Sequence, residues 1–125
     1  MIKTISTDKA PAAIGPYSQA KVVGDFVFTS GQIAINPVNG EVEATTIEGQ
    51  TTQVCENIKN LLKAAGSDLE NVVKTTCFLK NMEDFATFNA IYAEYFTSKP
   101  ARSCVAAKQL PKDVLVEVET IAIIK

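Results

Sequence analysis

The chain has 125 residues, 46% of them hydrophobic and 21% charged, with 12 Lys and Arg against 14 Asp and Glu. A chain of this length reads as one domain, residues 1–125, with its own core, and the composition excludes disordered and collagen-like chains. A net charge of −2 offers no basic field for nucleic acid, and the absence of histidine removes His triads, His metal ligands and the usual near-neutral proton carrier.

No apolar run approaches the ~20 residues that span a bilayer, and Met1-Ile2-Lys3-Thr4 does not open like a signal peptide, so a cytoplasmic address is expected. Cys55, Cys77 and Cys104 are far apart and odd in number, with no CxxC, which suggests neither a zinc site nor a disulfide framework.

Ile2–Ile5 is followed by a loop with Pro11, Gly15 and Pro16. Gln19–Val23 and Phe26–Ser30, separated by Gly24-Asp25, read as a β-hairpin, and Pro37–Gly40 reads as loop. Thr45 with Glu48 fits a capping box that opens the first helix, and Gly66 fits its end. Val54, Ile58, Leu61, Leu62 and Ala65 form its apolar stripe, with Cys55 packing beside them. Val72–Lys80 reads as a strand, and Asn81 as the cap of a second helix that Pro100 ends. Its Phe85, Phe88, Tyr92 and Phe96 read as core, with Asn89 at the edge of that stripe. Ser103–Ala107 and Val114–Ile124 are the last two strands.

Right-handed crossovers put both helices on one face of the sheet, which gives a two-layer α+β sandwich. The last strand is largely apolar on both sides: Val114, Val116, Val118, Thr120, Ala122 and Ile124 on one, Leu115, Ile121 and Ile123 on the other. With helices for one layer only, the second face needs another subunit, so a homo-oligomer is expected.

Glu117 and Glu119 share the face of Leu115 and Ile121, roughly 6–7 Å apart from the strand rise. Such a pair marks either a solvated rim or a working site. Arg102, at the start of the preceding strand, is either a surface residue or a bidentate carboxylate clamp, and backbone N–H groups near Ser103 and Cys104 can add donors.

Ala12-Ala13-Ile14-Gly15-Pro16-Tyr17-Ser18-Gln19-Ala20 and Phe28-Thr29-Ser30-Gly31-Gln32-Ile33 resemble one signature of the YjgF/RidA family. Pro100-Ala101-Arg102-Ser103-Cys104-Val105, Leu110-Pro111-Lys112-Asp113-Val114 and Glu117-Val118-Glu119 resemble the other, and the likeness includes Asn89-Ala90-Ile91-Tyr92. The resemblance implies a chorismate-mutase-like α+β fold, a mixed six-stranded sheet with two helices on one face, in homotrimers with active sites between subunits. It implies a cofactor-free and metal-free deaminase that hydrolyses enamines and imines such as 2-aminoacrylate, 2-iminopropanoate and 2-iminobutanoate to 2-oxo acids and ammonia. Arg102 then binds the substrate carboxylate, and Glu117 positions or activates water. Tyr17, Ser30, Gly31, Asn89, Ser103 and Cys104 line the pocket. Cys104 is expected as pocket wall, with its thiol pKa open to lowering by Arg102. The other readings are a non-catalytic small-molecule-binding regulator and, against the acidic charge balance, an RNA-directed activity.

Overall fold

The computed structural model describes residues 1–125. Ten regular elements follow in chain order: β1 (Ile2–Ile5), β2 (Ala20–Val23), β3 (Phe26–Thr29), β4 (Ile35–Asn36), β5 (Glu41–Val42), α1 (Ile47–Ala64), β6 (Val72–Leu79), α2 (Phe85–Tyr95), β7 (Ala101–Ala106) and β8 (Val116–Ile123). Six strands form one sheet in the order β1-β2-β3-β8-β6-β7, and β4 and β5 form a separate ribbon. β6 and β7 pair in parallel and the other sheet neighbours pair antiparallel, so the sheet is mixed. No helix is long and apolar enough to cross a membrane.

The apolar stripe of α1 is buried as its spacing requires, with Val54, Ile58, Leu61 and Leu62 wholly enclosed. Val116, Val118, Thr120 and Ala122 of β8 lie beneath it, together with Val27 of β3. Phe88 and Tyr92 of α2, with Phe96 just past its end, complete this layer, Tyr92 stacking on Phe96 at 4.5 Å.

Two local expectations shift, the α1 cap and the Asn81 cap, while Pro37–Gly40 is loop as read. The cap of α1 is Thr46, not Thr45: its Oγ1 accepts from the Gly49 backbone N–H at 3.1 Å. The third residue of the helix is then Gly49, with no side chain to reach back, so the capping box is only half made. Glu48 sits on the exposed side, while Ile47 and Gln50 turn inward, Gln50 bonding Ala44 O and the Leu115 N–H. Asn81 precedes a 3₁₀ turn, Met82–Asp84, rather than α2 itself, and makes no side-chain cap bond. The segment around Pro37–Gly40 is the tip of the β4–β5 ribbon, tied by Asn36 and Asn39 side chains to Glu43.

The strand opening is also displaced. β8 starts at Val116, after a 3₁₀ turn over Pro111–Asp113 in which Lys112 has φ +54°. β7 starts at Ala101, so Arg102 lies inside the strand.

The second face of the sheet has no helix over it. Val23 pairs with Phe26, Lys21 with Phe28, Phe26 with Ile123, and Phe28 with Ile121, all on this open face. Phe26 and Phe28 remain 47% and 44% exposed. Phe78, Val105 and Glu117 extend the same face towards β7.

The cap assignment is testable by urea unfolding. Thr46→Ala is expected to lose about 1 kcal/mol of stability, the usual value of an N-cap hydroxyl, and Thr45→Ala to change little.

Candidate functional site

The sheet register decides where each candidate side chain goes. Arg102 pairs with Thr75 and Cys104 with Cys77, and both partners are buried on the helix side. Ser103 pairs with Thr76, which in turn faces Glu119, and Phe78 pairs with Glu117. Arg102 and Cys104 therefore point towards α2, whereas Ser103, Glu117 and Glu119 occupy the open face.

Arg102 meets a neutral cradle. Its Nη1 donates to Asn89 Oδ1 at 2.5 Å, and the guanidinium carbon lies 4.9 Å from the Tyr92 ring centre and 5.4 Å from that of Phe85. Phe85, Asn89 and Tyr92 recur at i, i+4 and i+7, so one face of α2 supplies all three. The chain's single ion pair, Lys80–Asp113, is exposed and does not involve Arg102. Arg102 thus has no carboxylate within ion-pair distance. Asn89, Tyr92 and Arg102 line a cavity of about 640 Å³ with Phe96, Lys99 and Pro100.

Glu117 lines a second cavity of about 410 Å³, with Tyr17, Ser30, Gly31, Ile33 and Pro111. Its carboxyl pKa is raised, first by burial and then by the charge of Glu119. The carboxylate sits directly against Gly31, where a Cβ would collide with Glu117 Oε2. The neighbouring Gln32 fixes this approach, since Gln32 and Val118 exchange backbone hydrogen bonds of 2.8 and 3.1 Å.

The rim of this cavity is tied down by polar side chains. Gln19 accepts from the Thr7 N–H at 2.7 Å and donates to Thr7 O and Pro11 O at 2.9 and 2.8 Å. The Ser30 hydroxyl donates to Ser18 O at 2.6 Å, which anchors the loop carrying Tyr17. Tyr17 itself is exposed.

Six of the eight candidate residues therefore fall into two groups on one chain. Tyr17, Ser30, Gly31 and Glu117 share one cavity; Arg102 and Asn89 share the other. Ser103 is exposed on the open face, and Cys104 is half-buried beside the core. The Cys104 thiol pKa is raised, because burial outweighs the nearby Arg102, which corrects the expectation of lowering. Cys77, deeper still, is pushed up to about 12. Both thiols are thus held protonated rather than activated. No three Cys, Asp or Glu side chains converge as metal ligands would.

The model describing endoribonuclease L-PSP, the YjgF/RidA family model, matches residues 7–124. The chain belongs to the YjgF/RidA family. It is 55% identical over 99% of both chains to a putative regulator, AldR, of Lactococcus lactis. It is 50% identical, over 98% of both chains, to the 2-iminobutanoate/2-iminopropanoate deaminase of Escherichia coli K12. Among solved structures, Escherichia coli TdcF with bound serine superposes with a TM-score of 0.93 at 42% identity, covering 98% of this chain and 99% of that one. The mixed sheet with two helices is the fold of these family members.

Phe85 and Tyr92 are the residues that sequence reasoning assigned to the core without a second role. The signal was present in the Phe85-Asn89-Tyr92 spacing, which places the polar Asn between two rings on one helix face.

Gly31→Ala tests the close approach to Glu117. The obstructing atoms are the end of a flexible side chain, so the variant is expected to fold with a melting temperature near the parent's. Turnover of an imine substrate is expected to fall by ~10-fold to ~10²-fold as the carboxylate is displaced. Parent-like turnover would show that the position of this carboxylate does not matter.

Proposed function

We propose that the protein is a cofactor-independent deaminase that hydrolyses 2-imino acids and their enamine tautomers to 2-oxo acids and ammonia. The observation that carries this reading is Arg102: a half-buried guanidinium held by an amide and two rings, with no acidic partner, is a ready receptor for a small carboxylate. The deaminase named among the relatives acts, by its name, on substrates of this class.

In this reading the substrate carboxylate takes the free edge of the guanidinium as two parallel N–H···O bonds. Glu117, ionised, accepts a proton from water as the oxygen attacks C2 of the protonated imine. The resulting carbinolamine carries the new C–O bond. Glu117 then returns the proton to the amino nitrogen, the C–N bond breaks, and the hydroxyl proton is lost as the C2 carbonyl forms. One iminium and one water give one 2-oxo acid and one ammonium. A carboxyl with a raised pKa suits both halves of this cycle. Of the two adjacent backbone N–H groups on the edge strand β7, that of Ser103 shares the parity of the Ala107 N–H, which bonds Leu79 O on β6. The outward-facing Cys104 N–H is therefore the one that supplies a further neutral donor in the proposal.

Because Arg102 and Glu117 lie on opposite faces of one sheet, we assign them to different subunits in each working site. The uncovered face bearing Val23, Phe26, Phe28 and Ile123 is the surface a second copy would bury. A homotrimer, as the family resemblance implies, brings the Arg102 cavity of one copy to the Glu117 cavity of the next. A regulatory, binding-only role would need Arg102 but not Glu117 beside a glycine kept bare for it. RNA cleavage is disfavoured by the net charge of −2.

The test is release of 2-oxo acid from freshly generated 2-aminoacrylate. Arg102→Lys keeps the charge but loses the fork, and kcat/KM is expected to drop at least ~10-fold. Glu117→Gln is expected to keep affinity for 2-oxobutanoate while turnover falls by roughly 10²-fold or more. Cys104→Ala should be milder than either. Normal turnover in Glu117→Gln, or unchanged 2-oxobutanoate affinity in Arg102→Ala, contradicts the assigned roles.

A further inference from the structure

Behind the cradle lies a second, fully enclosed contact. The Tyr92 hydroxyl and Thr75 Oγ1 are 2.7 Å apart, with Tyr92 7% and Thr75 0% exposed. Thr75 is also the register partner of Arg102 on β6. One residue therefore sits beside the backbone of the arginine and holds the ring beneath its side chain. Apart from the thiol of Cys77, 3.8 Å from Thr75 Oγ1, these hydroxyls have only each other. Leaving either unpaired at this depth is costly, so the pair resists separation.

Asn89 alone does not fix the guanidinium. Its single hydrogen bond pins Nη1 and leaves the plane free to swing about that contact. The ring faces supply the missing restraint, because a planar cation stacked on an aromatic face has its tilt set by that face. Tyr92 is the nearer of the two rings, and it is itself wedged between Phe88 at 5.5 Å and Phe96 at 4.5 Å. Burial raises the phenol pKa, so the ring stays neutral and does not compete with an anion for Arg102.

We propose that Tyr92, locked by Thr75, is a positioning residue that sets the guanidinium plane of Arg102 and hence the direction in which a substrate carboxylate is gripped. This rests on the carboxylate-clamp reading above. Tyr92 and Thr75 touch no reacting atom; they act through Arg102.

The experiment measures 2-oxobutanoate affinity by calorimetry, and KM and kcat for an imine generated in situ, in Tyr92→Leu, Tyr92→Phe, Thr75→Val and Arg102→Ala. Tyr92→Leu is expected to weaken 2-oxobutanoate binding and raise KM about 3- to 30-fold, the range a cation–ring contact supports, with kcat within about twofold. Tyr92→Phe and Thr75→Val should move KM in the same direction by less, because the ring remains but loses its tether. In an Arg102→Ala background, Tyr92→Leu should have no further effect on affinity. An undiminished Tyr92→Leu effect in that background, or a loss confined to kcat, overturns the proposal. Should Tyr92→Leu fail to fold, Thr75→Val decides: a raised KM supports the tether and a parent-like KM overturns it. Undiminished 2-oxobutanoate binding in Arg102→Ala overturns the clamp reading and this proposal with it. A normal clamp that is indifferent to both Tyr92 and Thr75 overturns this proposal alone.

Discussion

A guanidinium is expensive to take out of water, and most proteins meet that cost with a carboxylate. Arg102 is treated differently. Its neighbours are an amide oxygen and two ring faces, all neutral, so its charge is steadied without being cancelled. That arrangement depends on a parallel β6–α2–β7 crossover, which lays one face of α2 across the start of an edge strand. It depends equally on Thr75 being buried on β6 beneath that helix, where it meets Tyr92. The rest of the molecule can be seen as what is needed to hold a bare positive charge half out of solvent.

The opposite pole is built on the other side of the same sheet. Glu117 alternates with buried Val116 and Val118, and so must face away from α1 and α2. There it presses on Gly31, in a segment locked to β8 by the paired backbone bonds between Gln32 and Val118. Burial and the neighbouring Glu119 keep its carboxyl more easily protonated than an ordinary one. A sheet one strand thick cannot bring its two faces to one ligand. The fold separates acid and cation within a chain and leaves an apolar face, with Phe26 and Phe28 on it, that no helix covers.

Much of this is legible in the amino-acid sequence. The α1 stripe, the Gly24-Asp25 hairpin and the two-sided last strand each follow from local periodicity, which tertiary contacts reinforced. Gly66, with φ +86°, ends α1 where only a glycine is comfortable. The cap moved by one residue because Thr45 and Thr46 are chemically equal, and the burial of Ile47 and Gln50 chose between them. Harder to foresee was the double use of α2. Rings spaced for a core are also spaced for a cation, and only the parity of β7 against β6 tells which. The separation of Arg102 from Glu117 has the same origin: strand register across β6 is a tertiary fact that no single strand pattern encodes.

The most direct test of a site divided between copies is complementation. Arg102→Ala and Glu117→Gln chains would be prepared separately, shown to be inactive towards 2-aminoacrylate, then unfolded together and refolded as a mixture. If the proposed trimer forms, random mixing leaves about one site in four with an intact Arg102 from one chain and an intact Glu117 from its neighbour. Recovery to about a quarter of parental activity is expected, absent when either variant is refolded alone. A mixture as inactive as its components, with mixed trimers confirmed by native mass spectrometry, would place both residues in one chain's site and contradict the account.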